Sequence, residues 1–161
     1  MSARADALAE RLEQGASALT KFANGLSDAE WRATVAPDGR AVGVMIHHVA
    51  SMYPAEVQLA QALAMGKSID DLSWGVVAQM NAKHAHDHGT TSKVEALELL
   101  GKNSGAAARA IRELTDAQLD RAAPVSLYGG APVTAQFFIE DHAMRHSFHH
   151  LARIKAALKK G

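Results

Sequence analysis

Apolar residues recur at helical spacing along four long segments of this chain, and this pattern constrains the fold more than any other feature. Residues three or four positions apart share one face of a helix, so each segment presents an apolar stripe to a core. Capping residues, glycines and prolines bound the segments at about 2–22, 41–65, 91–115 and 132–159. Because no clear strand alternation accompanies them, the pattern predicts an all-α four-helix bundle.

Shorter elements are predicted between the long helices. Residues 73–83 suit a short helix that breaks up in the polar run 84–89, and residues 125–128 suit a brief extended piece. Pro54 lies in the middle of the second long helix, one turn after His48. Since proline lacks a backbone donor, it predicts a kink there.

Length and composition limit the class of protein. The 161 residues fit one domain, 1–161, with a single core. The chain has no cysteine, so a disulfide framework and a zinc–thiolate site are both excluded. Seventeen basic residues balance seventeen acidic ones, and no basic tract indicates nucleic-acid binding. The amino-terminal region has no long apolar run, so we expect a cytoplasmic protein without a membrane segment.

Three histidines lie on apolar helix faces. His146 and His150 are four residues apart on the last helix, and His48 lies almost a hundred residues earlier on the second. Apolar residues share the stripe of the first two: Ala135, Ile139, Ala143, Ile154 and Ala157. Apolar residues also share the row of His48: Ala41, Val44, Met45, Met52, Ala55 and Leu59. The three imidazoles are therefore predicted to face the core and to lie close together where these helices meet.

Two further histidines fall outside these faces. His47 shares its row with Arg40 and other residues that are polar or helix-breaking, so it is predicted to point away from the core. His149 shares its side of the last helix with Arg145 and Arg153, which favours an outward or border position.

An i, i+4 histidine pair has the spacing by which helices chelate metals. A third inward imidazole completes a set of three protein ligands and leaves coordination positions on the metal open for water or substrate. The three residues therefore predict a divalent-metal site at His48, His146 and His150. Such an ion can lower the pKa of a bound water to about 7 or hold a thiol as thiolate. The alternative is a metal-free bundle whose buried histidines are hydrogen-bonded to neighbours.

Other residues near this face have weaker claims. His142, one turn before His146, suits a fourth ligand, a proton carrier or, preferably, a surface residue. The alternating histidines of the polar run, His84, His86 and His88, suit a solvated loop better than a weak metal site.

Helical phase places no carboxylate where it could act as a general base beside the three histidines. Glu56 lies at the edge of the His48 face, while Glu140 and Asp141 are predicted to point away from the His146 side. Tyr53 and Trp74 are predicted to be packing residues rather than substrate contacts.

Several pieces of the sequence together resemble the DinB-like superfamily, which includes YfiT-like metal-dependent hydrolases, mycothiol-dependent maleylpyruvate isomerases and bacillithiol transferases. The pieces span nearly the whole chain: His48-Val49-Ala50, Asn81-Ala82-Lys83-His84-Ala85, Leu114-Thr115-Asp116-Ala117-Gln118-Leu119-Asp120-Arg121, and His146 followed by His150-Leu151-Ala152-Arg153-Ile154. The resemblance implies a four-helix bundle, often a homodimer, with zinc or nickel on His48, His146 and His150. Many relatives follow the last ligand with Arg-Gly-Gln, where this chain has Leu151-Ala152-Arg153, so subfamily and substrate stay open.

The resemblance favours a low-molecular-weight thiol that attacks a small electrophile, in an S-transfer or a thiol-assisted isomerisation. A metal-dependent hydrolase that uses bound water is the nearest alternative, and it needs a general base close by. A third alternative is a sensor, sequestration or stress protein that binds a metal or small ligand and catalyses nothing.

Overall fold

The protein, described by a computed structural model over residues 2–160, consists mainly of helices. They are α1 (Ala3–Asn24), α2 (Asp28–Arg32), α3 (Val42–Ala64), α4 (Trp74–Asp87), α5 (Lys93–Arg112), α6 (Asp116–Leu119), α7 (Ala135–Phe138) and α8 (Arg145–Leu158). A π-helical turn, Ile139–Met144, joins α7 to α8. Two small antiparallel hairpins pair β1 (Thr34–Val35) with β2 (Arg40–Ala41) and β3 (Ala122–Pro124) with β4 (Pro132–Thr134).

The four long helical segments form a bundle. α1 packs against α5 and α8, and α3 packs against the same two helices from the other side. Side chains from all four segments are fully buried between them, among them Leu12, Leu19, Met45, Ile46, Leu100, Ile111, Ile139 and Ile154. The predicted all-α bundle is therefore confirmed, as is the predicted meeting of the second and last long helices. No helix within residues 2–160 combines the length and the apolar character needed to cross a bilayer.

The helix α3 runs through Pro54 without interruption. A proline leaves the carbonyl four residues earlier without its usual helical donor. Here that carbonyl belongs to Ala50, and it accepts a hydrogen bond of 2.8 Å from the Asn103 side-chain amide of α5. A side chain of the neighbouring helix thus replaces the missing backbone bond.

The amino-terminal half of α3 is buried on every side, from Val42 to Ala50. Gly43 lies against the indole of Trp31, and a Cβ at this position would come within 2.3 Å of the ring. The indole Nε1 in turn donates to the Thr91 carbonyl at 3.1 Å. Since only glycine leaves room for this contact, α2 closes over the face of α3 that the sequence had predicted to be exposed.

The connecting segments differ from the predictions in three places. α4 continues to Asp87, through most of the run predicted as a loop. The last helix is divided by the π turn, and its first residues, 132–134, form β4 instead. Residues 126–128 form a 3₁₀ turn, while the extended segment lies just before it at 122–124.

Candidate metal centre

α3 and α8 bring His48, His146 and His150 together. The Nε2 atoms of His48 and His146 are 3.2 Å apart. The ring centroids of His146 and His150 are 4.9 Å apart, and those of His48 and His150 are 5.5 Å apart. One nitrogen from each ring lies within 4.8 Å of the others. The three residues selected by helical phase therefore form one cluster.

Local structure explains this convergence. His146 and His150 occupy successive turns of one face of α8, directly after the π turn. Such turns insert an extra residue into a helix and are frequent at functional sites. His48 lies in the fully buried half of α3, which packs against α8.

Burial keeps two of the rings neutral. The pKa of His48 falls to about 2, chiefly because burial disfavours the imidazolium form and secondly because His146 would repel it. The pKa of His150 is lowered for the same two reasons. Neutral imidazoles have a free lone pair, which is the form that binds metals.

Glu56 is the residue that helical phase misjudged most. It was placed at the edge of the His48 face, yet its side chain is buried, with 6% of its surface exposed. Its Oε1 lies 2.7 Å from Nδ1 of His146. The reason is that α8 and the π turn before it pack against α3 and cover this edge position. A carboxylate beside the distal nitrogen of a ligand histidine is typical of metal sites, where it fixes the ring and its tautomer.

A cavity of about 390 Å³ adjoins the cluster. His48, His146 and His150 line one part of its wall, and apolar residues line much of the rest: Met52, Ala55, Leu59, Leu72, Val77, Met80, Leu127 and Phe138. Arg40, Arg145 and Arg153 also line it. Trp74, predicted as a packing residue, is instead 62% exposed at the cavity wall, whereas Tyr53 is fully buried, as predicted.

The residues of the π turn lie beside this cavity. His142 stacks on Phe138, with ring centroids 4.3 Å apart, and its Nε2 is 2.8 Å from the Tyr128 hydroxyl. That hydroxyl donates to Asp141 at 2.7 Å. Asp141 lines the cavity, so the prediction that it points away was wrong, because the wider π turn changes its helical phase. Glu140 accepts a hydrogen bond from Gln136.

Another histidine group contradicts the sequence prediction. His47, predicted to point outward, is only 4% exposed, because α4 covers it. His84 and His88 lie beside it, and the three form a second cluster. His86 is exposed, as is His149, which was predicted at the outside or border of α8. The signal available in the sequence was the i, i+4 spacing of His84 and His88 inside the alternating run.

The first cluster has the donors that a divalent transition metal requires. Zinc–imidazole bonds of about 2.0–2.1 Å in a tetrahedral site separate neighbouring nitrogens by about 3.4 Å. The 3.2 Å between Nε2 of His48 and Nε2 of His146 is close to this value. Nδ1 of His48 and Nδ1 of His150 have no hydrogen-bond partner within residues 2–160, and Nδ1 of His146 contacts Glu56 without the geometry of a hydrogen bond. The residues therefore fit a bound metal ion.

The family model described as the DinB superfamily matches residues 11–154. The chain belongs to the DinB superfamily. The match includes His48, His146 and His150. A search of curated proteins finds no significant match.

Solved structures share the fold at low sequence identity. YfiT from Bacillus subtilis, described as a probable metal-dependent hydrolase with an unusual four-helix bundle topology, superposes with a TM-score of 0.78 at 18% identity. The match covers 99% of this chain and 89% of YfiT. A mycothiol-dependent maleylpyruvate isomerase gives a TM-score of 0.71 at 15% identity over 96% of this chain and 63% of the isomerase. YjoA, a DinB-like protein from Bacillus subtilis, gives 0.60 at 14% identity over 94% of this chain and 90% of YjoA.

Proposed function

We propose that this DinB superfamily member binds one divalent metal ion, zinc or nickel, at His48, His146 and His150. It uses the ion either to transfer a thiol to a small electrophile or to isomerise the electrophile with the help of the thiol. The observation that carries the proposal is the convergence of three histidines, two buried and one half-buried, at the wall of a cavity large enough for a small molecule. Its substrates are a low-molecular-weight thiol and a small electrophile. A homodimer and a cytoplasmic location remain predictions.

When bound, the ion supplies a Lewis acid that favours the thiolate form of a thiol. The chain contributes the remaining parts. Glu56 orients the His146 ring, and the apolar wall excludes water around the sulfur. Because the chain has no cysteine, the reacting thiol must come from a substrate.

The cavity also favours a particular electrophile. Its wall combines apolar side chains with the guanidinium groups of Arg40, Arg145 and Arg153. Nη1 of Arg40 is buried without a hydrogen-bond partner among the described residues. All three guanidinium groups pair with aspartates of the chain, Arg40 and Arg153 with Asp38 and Arg145 with Asp141, so Nη1 of Arg40 is the donor that we assign to a ligand. Guanidinium groups bind carboxylates well, so the wall suits a small molecule with an apolar body and one anionic group.

Hydrolysis is the second candidate activity, supported by the same cluster and by the likeness to YfiT. It requires a general base near the reacting water. Among the titratable side chains of the cavity wall we assign this role to His142, since Glu56 faces Nδ1 of His146, Asp141 pairs with Arg145 and His149 is exposed. His142 accordingly separates the two candidates: its replacement should abolish hydrolysis and leave thiol transfer largely intact.

Elemental analysis of protein purified without a metal-affinity tag tests the metal site. His146→Ala and His150→Ala should each lose the ion of this site, whereas His149→Ala, an exposed position of the same helix, should retain it. Circular dichroism checks that the variants keep their helices. Retention of the ion by both ligand variants would contradict the proposal.

A cobalt-substituted sample tests the reaction. Addition of 2-mercaptoethanol should produce sulfur-to-cobalt charge-transfer absorption, and a nitroaryl chloride should then be consumed with one thioether formed and one chloride released. Ester cleavage without thiol would favour the hydrolase instead. A metal-loaded protein with neither activity nor thiol absorption would indicate a binding protein.

A further inference from the structure

A second group of three histidines lies beside the proposed metal centre. His47 belongs to α3, His84 lies in the last turn of α4, and His88 caps that helix. Nδ1 of His47 is 2.9 Å from Nε2 of His84. His88 stacks on His47 with ring centroids 4.1 Å apart, and its centroid is 4.8 Å from that of His84. One nitrogen of each ring lies within 4.8 Å of the other two.

Packing alone does not account for this arrangement. None of the residues of α4 is fully buried, so the helix contributes little apolar burial to the bundle. The ring of His84 nevertheless has a buried Nδ1 without a hydrogen-bond partner among the described residues. The contact between His47 and His84 gives one nitrogen of each ring a hydrogen-bond partner. It does not explain why His88 stacks against the same pair.

The donor set has the chemistry of a metal site. His84 and His88 are an i, i+4 pair on one helix, and His47 comes from a neighbouring helix, which repeats the pattern of the first cluster. Imidazole nitrogen binds zinc, nickel, cobalt and copper in preference to magnesium or calcium. Nitrogens 2.9 Å apart need only a small adjustment to share one ion.

We propose that His47, His84 and His88 bind a second divalent transition metal ion. His47 is next in sequence to His48, and the rings of His48 and His84 are 5.5 Å apart, so the two sites are neighbours. The second ion fastens the carboxyl-terminal end of α4 to α3. Because Trp74, Val77 and Met80 of α4 line the substrate cavity, the ion also fixes one cavity wall. This proposal does not depend on the activity proposed for the first site.

Metal content of untagged protein loaded with Co²⁺ and desalted tests the proposal. The parent should retain two ions per chain, and a His84→Ala/His88→Ala variant should retain one. His86→Ala is the matched control, because His86 lies on the same helix with a side chain 90% exposed, and it should retain two. The His146→Ala/His150→Ala variant should also retain one ion.

The failure of each site is recognisable. One ion in the parent and in His84→Ala/His88→Ala, with none in His146→Ala/His150→Ala, would overturn the second site and leave the first intact. The reverse pattern would support the second site and contradict the first.

Hydrogen exchange gives an independent readout. Co²⁺ should slow amide exchange in the last turns of α4 in the parent and in His146→Ala/His150→Ala, but not in His84→Ala/His88→Ala. Equal exchange with and without Co²⁺ in the His146→Ala/His150→Ala variant would overturn the proposal. Since the replaced residues of α4 are not fully buried, the variant is expected to fold, and circular dichroism checks this.

Discussion

Oε1 of Glu56 lies 2.7 Å from Nδ1 of His146, while Nε2 of the same ring faces His48. The carboxylate therefore contacts the nitrogen that points away from the cluster. A carboxylate at this position favours a proton on Nδ1, and that tautomer leaves the Nε2 lone pair free to bind a metal. Besides the contact between His48 and His146, this is a second polar contact between α3 and α8. It makes Glu56 a positioning residue of the proposed centre.

Glu56→Gln should weaken metal binding by roughly 10–100-fold, as is typical when the partner of a ligand histidine is lost. The amide fills the same space but carries no charge to favour the Nδ1–H tautomer. Competition with a chelator measures the affinity. Glu113→Gln, on the protein surface, is the control and should bind as the parent does. Unchanged affinity in Glu56→Gln would show that the carboxylate does not orient His146.

The metal-free protein should lose stability as the pH falls below about 6.5. Burial lowers the pKa of His48 to about 2 and also lowers that of His150. The unfolded chain, with ordinary histidine pKa values near 6.5, therefore takes up protons that the folded chain does not. Each ring contributes at most about 1.4 kcal/mol per pH unit below that value.

Urea unfolding of chelator-treated protein at about pH 7.5 and 5.5 measures this dependence. His48→Gln removes one of the buried rings whose pKa is lowered, so the free energy of unfolding should vary less with pH than in the parent. His86→Gln, whose side chain is 90% exposed, is the control. An identical pH dependence in His48→Gln and the parent would rule out His48 as a source of the effect.

The sequence predicted the bundle and the first cluster because both depend on helical periodicity. His48, His146 and His150 lie on stripes that are otherwise apolar, and burial follows such stripes. The same reasoning failed for His47 and Glu56. Periodicity assumes that a helix has an exposed side, whereas the amino-terminal half of α3, with His47, is enclosed by other elements. Glu56 lies beyond that half and is covered by α8 and its π turn.

The packing of α4 against the bundle could not be predicted from its local sequence pattern either. None of its residues is fully buried, so it has no complete apolar stripe to identify its packed face. The alternating histidines suggested a loop, although Ser73 caps a helix that continues to Asp87. The π turn likewise has no periodic signal, and it moved Asp141 to the cavity wall.

Ala55→Phe should block the cavity without removing a ligand. Ala55 lines the cavity on α3, two turns beyond His48, and the added ring would occupy space needed by a small molecule. Cobalt content should stay unchanged, while the Kd of 2-mercaptoethanol for the cobalt form should rise about tenfold or more, equivalent to about 1.4 kcal/mol. Ala106→Phe, on the exposed side of α5, should leave both unchanged. Normal thiol binding in Ala55→Phe would indicate that ligands reach the histidines by another route.

Asn103→Leu should destabilise the protein by about 1–3 kcal/mol, because the Ala50 carbonyl loses its donor while the chain still has Pro54. In a Pro54→Ala background the new backbone N–H can bond to Ala50, so the same replacement should cost clearly less. Urea unfolding of the four proteins in this double-mutant cycle gives the coupling energy. Equal costs in the two backgrounds would mean that Asn103 stabilises the bundle by packing alone. A positive coupling would show that α5 supplies the hydrogen bond that lets α3 continue through a proline, from His48 to Glu56.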